Sequence, residues 1–250
     1  MKRLILPLLC FFVLLCFFVL VSSSLAWMSL PFVSGGGGGG CAGTWCDDFN
    51  RSNEDLEVSA DWGKEYNAAG TDNAQRIVIV GEEISRLSVE DTGYLLSVQT
   101  PTDKNYSVQM DMKAEADDIA FWIHGPIIRA KLGVGNAITG YFLRIRPSDG
   151  NINVRRYIDG TDTATPVTGT ISNFDWSVYH TVRLTVSGGS ADCSSGEDVT
   201  LTVYIDNMVS SEAAGTDGDA DCINDTNYGG ILSWWEEGAD TFFDNYIFYD

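Results

Sequence analysis

The side chains best equipped for chemistry sit two apart on short alternating runs. Trp122 and His124 form one such pair, Arg144 and Arg146 another, and Arg155 shares its spacing with Asn153 and Tyr157. Residues two apart on a strand share a face, so each set presents a ring or a hydrogen-bonding fork in one direction. An aromatic ring stacks on the apolar face of a pyranose, while guanidinium and amide groups bind its hydroxyls in a fork. Trp122, His124, Arg129, Tyr141, Arg144, Arg146, Arg155 and Tyr157 are therefore the candidate ligand-binding residues. Six of the 15 basic residues (Arg129, Lys131, Arg144, Arg146, Arg155, Arg156) fall between Arg129 and Arg156, a positive island that would favour an acidic polysaccharide. The competing assignment pairs these arginines with Asp and Glu across strands and places the aromatics in the core.

The elements that must position these residues are strands. Period-2 alternation marks Tyr106 to Lys113, Ile119 to His124, Gly140 to Arg146, Asn151 to Ile158, His180 to Val186, Val199 to Asp206, Gly230 to Trp235 and Phe242 to Tyr249. Weaker patterns mark Ala74 to Val80, Arg86 to Val89 and Tyr94 to Val98. Turn residues recur between them, among them Ser148-Asp149-Gly150, Asp159-Gly160 and Ser187-Gly188-Gly189, and no stretch holds a helical period. One hairpin is legible: Tyr141 to Arg146 turns through Pro147 to Gly150 into Asn151 to Tyr157, with Tyr141, Leu143 and Ile145 on one face and Phe142, Arg144 and Arg146 on the other. The expected fold is all-β, a single two-sheet antiparallel sandwich of jelly-roll type.

The chain has 250 residues and a formal net charge of −20, with 44% hydrophobic residues. Such acidity repels phosphate backbones, which excludes nucleic acid as the expected partner, and the apolar content supports a large core. Lys2 and Arg3 precede an apolar run from Leu4 to Val21, and Ser24 and Ala26 supply the small-x-small spacing of a cleavage site. Residues 1–26 are therefore expected to be a secretory signal, or an uncleaved N-terminal anchor given the 18-residue run, and both place the remainder outside the cytoplasm. Residues 27–46 follow as a tether containing six consecutive glycines, Gly35 to Gly40, and the sandwich occupies 47–250. The expectation is an exported or surface protein with a membrane tether through its N-terminus as the second possibility; oligomeric state is left open.

Cysteine usage agrees with export. Cys10 and Cys16 lie in the apolar run, leaving Cys41, Cys46, Cys193 and Cys222, an even number suited to disulfides in an oxidising compartment. Three pairings exist, of which Cys41–Cys46 with Cys193–Cys222 is the most local. Zinc is disfavoured by the spacings, with only His124 and His180 as imidazoles. Asn50, Asn105 and Asn224 begin glycosylation sequons, which matter only in a eukaryotic secretory host.

An ordered series of short motifs carries a resemblance. Asp48-Phe49-Asn50-Arg51-Ser52, Trp62, Gly125 to Arg129, Gly140-Tyr141, Trp176 through His180 to Leu184, Val203 to Asn207, Gly229-Gly230 and Phe243-Asp244-Asn245-Tyr246 together resemble a concanavalin A-like lectin/glucanase domain of the laminin-G-like group, over roughly residues 47–250. The resemblance implies a curved sandwich whose first and last strands are adjacent, in a family of sugar-binding modules, glycan-processing enzymes, adhesion domains and virion appendages. Arg129 matches a recurring position of that family.

The enzyme alternative can be weighed on motifs. Laminarinase-like members place their carboxylates on one strand as Glu-x-Asp-x-x-Glu, and this chain has no such string. The nearest approaches are Asp111 with Glu115, separated by Lys113, and the adjacent Glu82-Glu83, which alternation puts on opposite faces. A lyase using His and Tyr from separate strands stays open. Calcium, a frequent companion of this fold, has two candidate sites. Asp217, Asp219 and Asp221, with Asp225, alternate like an EF-hand start, but Cys222 and Tyr228 stand at its sixth and twelfth positions. Asp47, Asp48 and Asp244 would meet if the terminal strands are adjacent. The leading expectation is an exported, non-catalytic glycan-binding domain with structural calcium; the alternatives are a structural or adhesion domain of a cell surface or virus particle, and a glycan hydrolase or lyase with an unrecognised site.

Overall fold

The computed structural model describes residues 42–50, 54–56, 62–67, 77–80, 83–86, 93–97, 100–115, 120–133, 135, 137–172, 174–189, 198–224, 228–233 and 241–250. The signal or anchor segment, the six glycines, Cys41, Cys193, Glu82 and Asp225 lie outside them, whereas residues 42–46, assigned to the tether, are described and Trp45 and Cys46 belong to the first strand. Among the described residues sixteen strands run in chain order: β1 (Trp45–Asp47), β2 (Glu54–Asp55), β3 (Trp62–Asn67), β4 (Ile77–Val80), β5 (Glu83–Arg86), β6 (Gly93–Ser97), β7 (Tyr106–Ala114), β8 (Ile123–Leu132), β9 (Ile138–Arg146), β10 (Asn151–Ile158), β11 (Thr161–Thr170), β12 (His180–Gly188), β13 (Val199–Ile205), β14 (Ala213–Asp217), β15 (Tyr228–Ser233) and β16 (Thr241–Tyr249).

They form two antiparallel sheets. One has nine strands in the order β14-β13-β12-β7-β16-β5-β4-β2, with β1 also paired to β16; the other has seven, ordered β11-β10-β9-β8-β15-β6-β3. The first and last strands are adjacent, Trp45 lying opposite Phe248 and Asp47 opposite Tyr246. Strand β7 buries every second residue from Tyr106 to Ala114, and β13 does the same, so their apolar sides close the space between the sheets. Trp45, Phe49, Trp62 and Tyr246 pack as an aromatic cluster at the β1 side of that core, with Trp62 and Tyr246 edge to face at 4.9 Å.

The two sheets meet along β11 and β14. A Cβ on Gly215 would stand 2.3 Å from the Pro166 carbonyl oxygen, and one on Gly169 would stand 2.7 Å from the Ala213 Cβ. Only glycine permits this backbone approach. The expected β9–β10 hairpin is present, with Arg144 opposite Asn153 and Arg146 opposite Asn151. The strand expected at Ile119 to His124 is displaced: Phe121 and Trp122 precede it, and β8 begins at Ile123 and continues through Gly125-Pro126 to Leu132, with irregular register against β9 on either side of Ile127-Ile128.

Candidate functional site

The side of the seven-stranded sheet that faces away from the core carries the candidate residues. Tyr141, Leu143 and Ile145 of β9 are buried between the sheets, so Phe142, Arg144 and Arg146 point the other way. His124 of β8, Arg144, Asn153 of β10 and Thr168 of β11 lie side by side in one row. Arg146, Asn151 and Thr170 form the next row. Trp122 stands just before β8, half-buried, with the Arg144 guanidinium 4.2 Å and the Arg146 guanidinium 5.1 Å from its ring centroid. An indole under two guanidiniums thus adjoins rows of amide and hydroxyl groups set out on β9 to β11.

The arginines are extensively engaged within the protein. Arg146 grips Asp149 of the hairpin turn through two parallel hydrogen bonds, its Nε donating at 3.0 Å. That fork holds the Asp149 carboxyl below the usual carboxylate range. Arg155 grips Asp162 of β11 in the same way, its Nε donating at 3.0 Å. The competing assignment of cross-strand ion pairs therefore holds for Arg155, while Arg146 is paired within its own hairpin turn, and the island is far less positive than its composition indicated.

Four expected ligand contacts are corrected. Arg129 is fully buried with φ of 49°, and its guanidinium donates to the carbonyls of Ile223 (2.7 Å), Gly188 (2.7 Å) and Lys104 (2.9 Å). Its backbone N–H donates to the Tyr106 hydroxyl. The left-handed backbone at this irregular point of β8 turns the side chain into the sandwich, where it clips three loops together. Tyr141 is likewise buried, donating to Asp217 Oδ2 at 2.7 Å and accepting from the Ile223 N–H at 2.8 Å. Burial, with the neighbouring Asp217 carboxylate, holds its phenol far above the usual range. Tyr157 is on the outer side but packs on Phe142 at 4.1 Å, within a small apolar cluster that includes Leu96, Ile127 and Leu232. His124 is 2% exposed, so it forms the floor of its row.

The donors expected to hold calcium do not fit that ion. Asp217, 3% exposed, receives Arg156 Nη1 at 2.8 and 3.0 Å on its two oxygens as well as the Tyr141 hydroxyl. Asp219 receives Arg156 Nη2 at 3.2 Å. Asp221 is exposed. Asp47 points inward, accepting from the Trp62 indole N–H at 2.9 Å and the Phe49 N–H at 3.0 Å. Asp48 accepts from the Asn50 N–H and Asp244 from the Asn245 N–H. Among the described residues no three acidic, His or Cys side chains converge on one point. Cys46 and Cys222 are each disulfide-bonded.

Asp111 and Glu115, the nearest approach to a carboxylate pair in the sequence, lie on and just after β7. Asp111 lies on β7 of the other sheet, where Thr181 donates to it at 2.6 Å and Asn245 at 2.8 Å. On β8 to β11 the single carboxylate is Asp162, held by Arg155. The residues that sequence reasoning passed over are Asn151, Thr168 and Thr170. Asn151 alternates with Asn153 and was legible; the two threonines lie on β11, whose Pro166 and Gly169 read as breakers.

No family model and no curated protein matches the sequence. Solved structures share its fold. The carbohydrate binding module CBM66 from Bacillus subtilis is 12% identical, with 75% of this chain and 96% of that one covered and a TM-score of 0.52. A β-glucanase of Bacillus licheniformis is 13% identical, covering 83% and 98% at a TM-score of 0.54. A legume lectin-like domain from Entamoeba histolytica is 10% identical, covering 76% and 90% at 0.50. The fold is the concanavalin A-like jelly roll, as the resemblance implied.

Proposed function

We propose that the outer face of the seven-stranded sheet binds a glycan and does not cleave it. The observation that carries this reading is the Trp122 ring with the Arg144 and Arg146 guanidiniums over it, on a sheet face where Asn153 and Thr168 continue the Arg144 row and Asn151 and Thr170 the Arg146 row. A ring with an adjacent field of neutral donors and acceptors is the chemistry that recognises sugar hydroxyls. The carbohydrate binding module and lectin-like domain among the similar structures support it. Hydrolysis by the usual route needs two carboxylates across the bond, and β8 to β11 offer one, already committed to Arg155. With Arg146 and Arg155 neutralised, the charge argument for an acidic ligand is weakened. The N-terminal sequence supports export, with a surface tether as its variant.

A second reading, a structural or adhesion module, draws on the internal closure of the Arg146–Asp149 and Arg155–Asp162 pairs. Binding of the purified protein to arrays of neutral and acidic polysaccharides, followed by a reducing-sugar assay on each hit, separates the readings. Binding without product, weakened about tenfold or more (about 1.4 kcal/mol) in folded Trp122→Ala and Arg144→Ala variants, is expected. A folded protein that binds no glycan turns the assignment to the structural role, and released sugar turns it to an enzyme.

A further inference from the structure

The acidic loop after β14 already contains a cation, the side chain of Arg156. This arginine lies on the core side of β10, opposite Tyr141 of β9, and its side chain is 4% exposed. Its Nη1 reaches both oxygens of Asp217 on the other sheet, its Nη2 reaches Asp219, and its Nε donates to Thr163 Oγ1 at 3.0 Å. The loop folds around this group. The Asp219 N–H turns back to Asp217, the Cys222 N–H donates to the Asp219 carbonyl, and the Ile223 N–H donates to Tyr141. Ile223 in turn accepts from Arg129, and Cys222 is tied by a disulfide.

We propose that the Arg156 guanidinium is the resident cation of the loop at Asp217 to Asp221, so that the loop holds its shape without a divalent ion and excludes one. A guanidinium stays charged at every physiological pH, and its planar fork satisfies two carboxylates through directional hydrogen bonds. Calcium would need the same oxygens, six to eight in all, and would sit beside a fixed positive charge. The Asp217 oxygens are committed to Arg156 and Tyr141 instead and are themselves buried. The strut has a position as well as a charge. Arg156 occupies the irregular β10–β11 register, so it fixes the backbone from which Arg155 and Tyr157 project to the opposite face.

The test compares melting temperature in millimolar calcium and in chelator for the purified protein and for Asp219→Asn. Asp219 is exposed, so its substitution leaves the buried Arg156–Asp217 pair intact while turning a charged carboxylate ligand of any loop site into a weaker neutral one. The calcium-induced shift is expected to be the same in both, whatever its size, because an ion bound elsewhere does not depend on Asp219. A loop site at a hundredfold excess of calcium over its dissociation constant would raise the native protein by about 5–10 °C. A shift of that order that Asp219→Asn abolishes would overturn the proposal. Arg156→Ser provides the converse: with the guanidinium gone, a calcium response that the native protein lacks, again removed by Asp219→Asn, would support it.

Discussion

Replacing Arg129 with methionine keeps the length of the buried stem and removes every donor. The guanidinium makes one fully buried hydrogen bond, to the Ile223 carbonyl at 2.7 Å, and part-buried ones to Gly188 and Lys104. A buried bond to a charged donor contributes about 1.5–3 kcal/mol, and each part-buried carbonyl, which water can reach, about 0.5–1.5 kcal/mol. The expected loss is about 2.5–6 kcal/mol, or about 5–20 °C in melting temperature for a domain of this size. Urea denaturation should show a lower midpoint with an unchanged slope, since the surface exposed on unfolding stays the same. Arg129→Lys should fall between the two, because an ammonium reaches part of the carbonyl set without the planar fork. Glycan affinity per folded molecule should not change. A variant that keeps its melting temperature within about 1 °C and loses ligand would show that Arg129 serves the binding face, and the structural assignment would fail.

Alkaline titration should separate the tyrosines. Burial raises the phenols of Tyr106, Tyr141 and Tyr246, so their stabilisation is intact below the unfolded value of about 10 and is lost as pH climbs beyond it. Phenolate absorbance should therefore rise in two stages, the second coinciding with loss of near-ultraviolet circular dichroism; ionisation of all tyrosines in one stage with the fold intact would contradict their burial. Asp149, held low first of all by the Arg146 fork, should titrate below an ordinary aspartate in carboxyl-resolved NMR. Its contribution is present above the unfolded carboxylate value and lost as pH falls through its own, and Arg146→Ala should move the midpoint upward; an unmoved midpoint would remove the ion pair from the account.

The strands that alternate cleanly were legible. Asn151–Ile158 has the expected bounds, and β7, β12 and β16 differ from theirs by at most two residues. The misses have local causes. β11 is rich in threonine and carries Pro166 and Gly169, which weaken a strand pattern; both are tolerated because β11 is the sheet edge and presses on β14. β14 reads Ala-Ala-Gly-Thr-Asp, with too little apolar contrast to alternate, yet it is paired with β13 throughout. The second half of β8 is hidden behind Gly125-Pro126, where the register shift lets the strand continue.

Period-2 alternation, turn residues and an ordered set of short motifs determined the all-β sandwich and selected the β8–β10 region as the candidate face, because side-chain direction on a strand follows from position alone. Which arginines were available there was a tertiary decision. Arg129, Arg146, Arg155 and Arg156 look equivalent in the chain, but their partners are separated from them by anything from 3 to 94 residues. A left-handed backbone turned Arg129 inward, alternation in an irregular ladder placed Arg156 between the sheets, and Asp149 and Asp162 closed over the other two. The acidic loop shows the same dependence: its acids alternate as in a cation site, and only the approach of the two sheets along β11 and β14 brought the Arg156 guanidinium of β10 to Asp217 and Asp219.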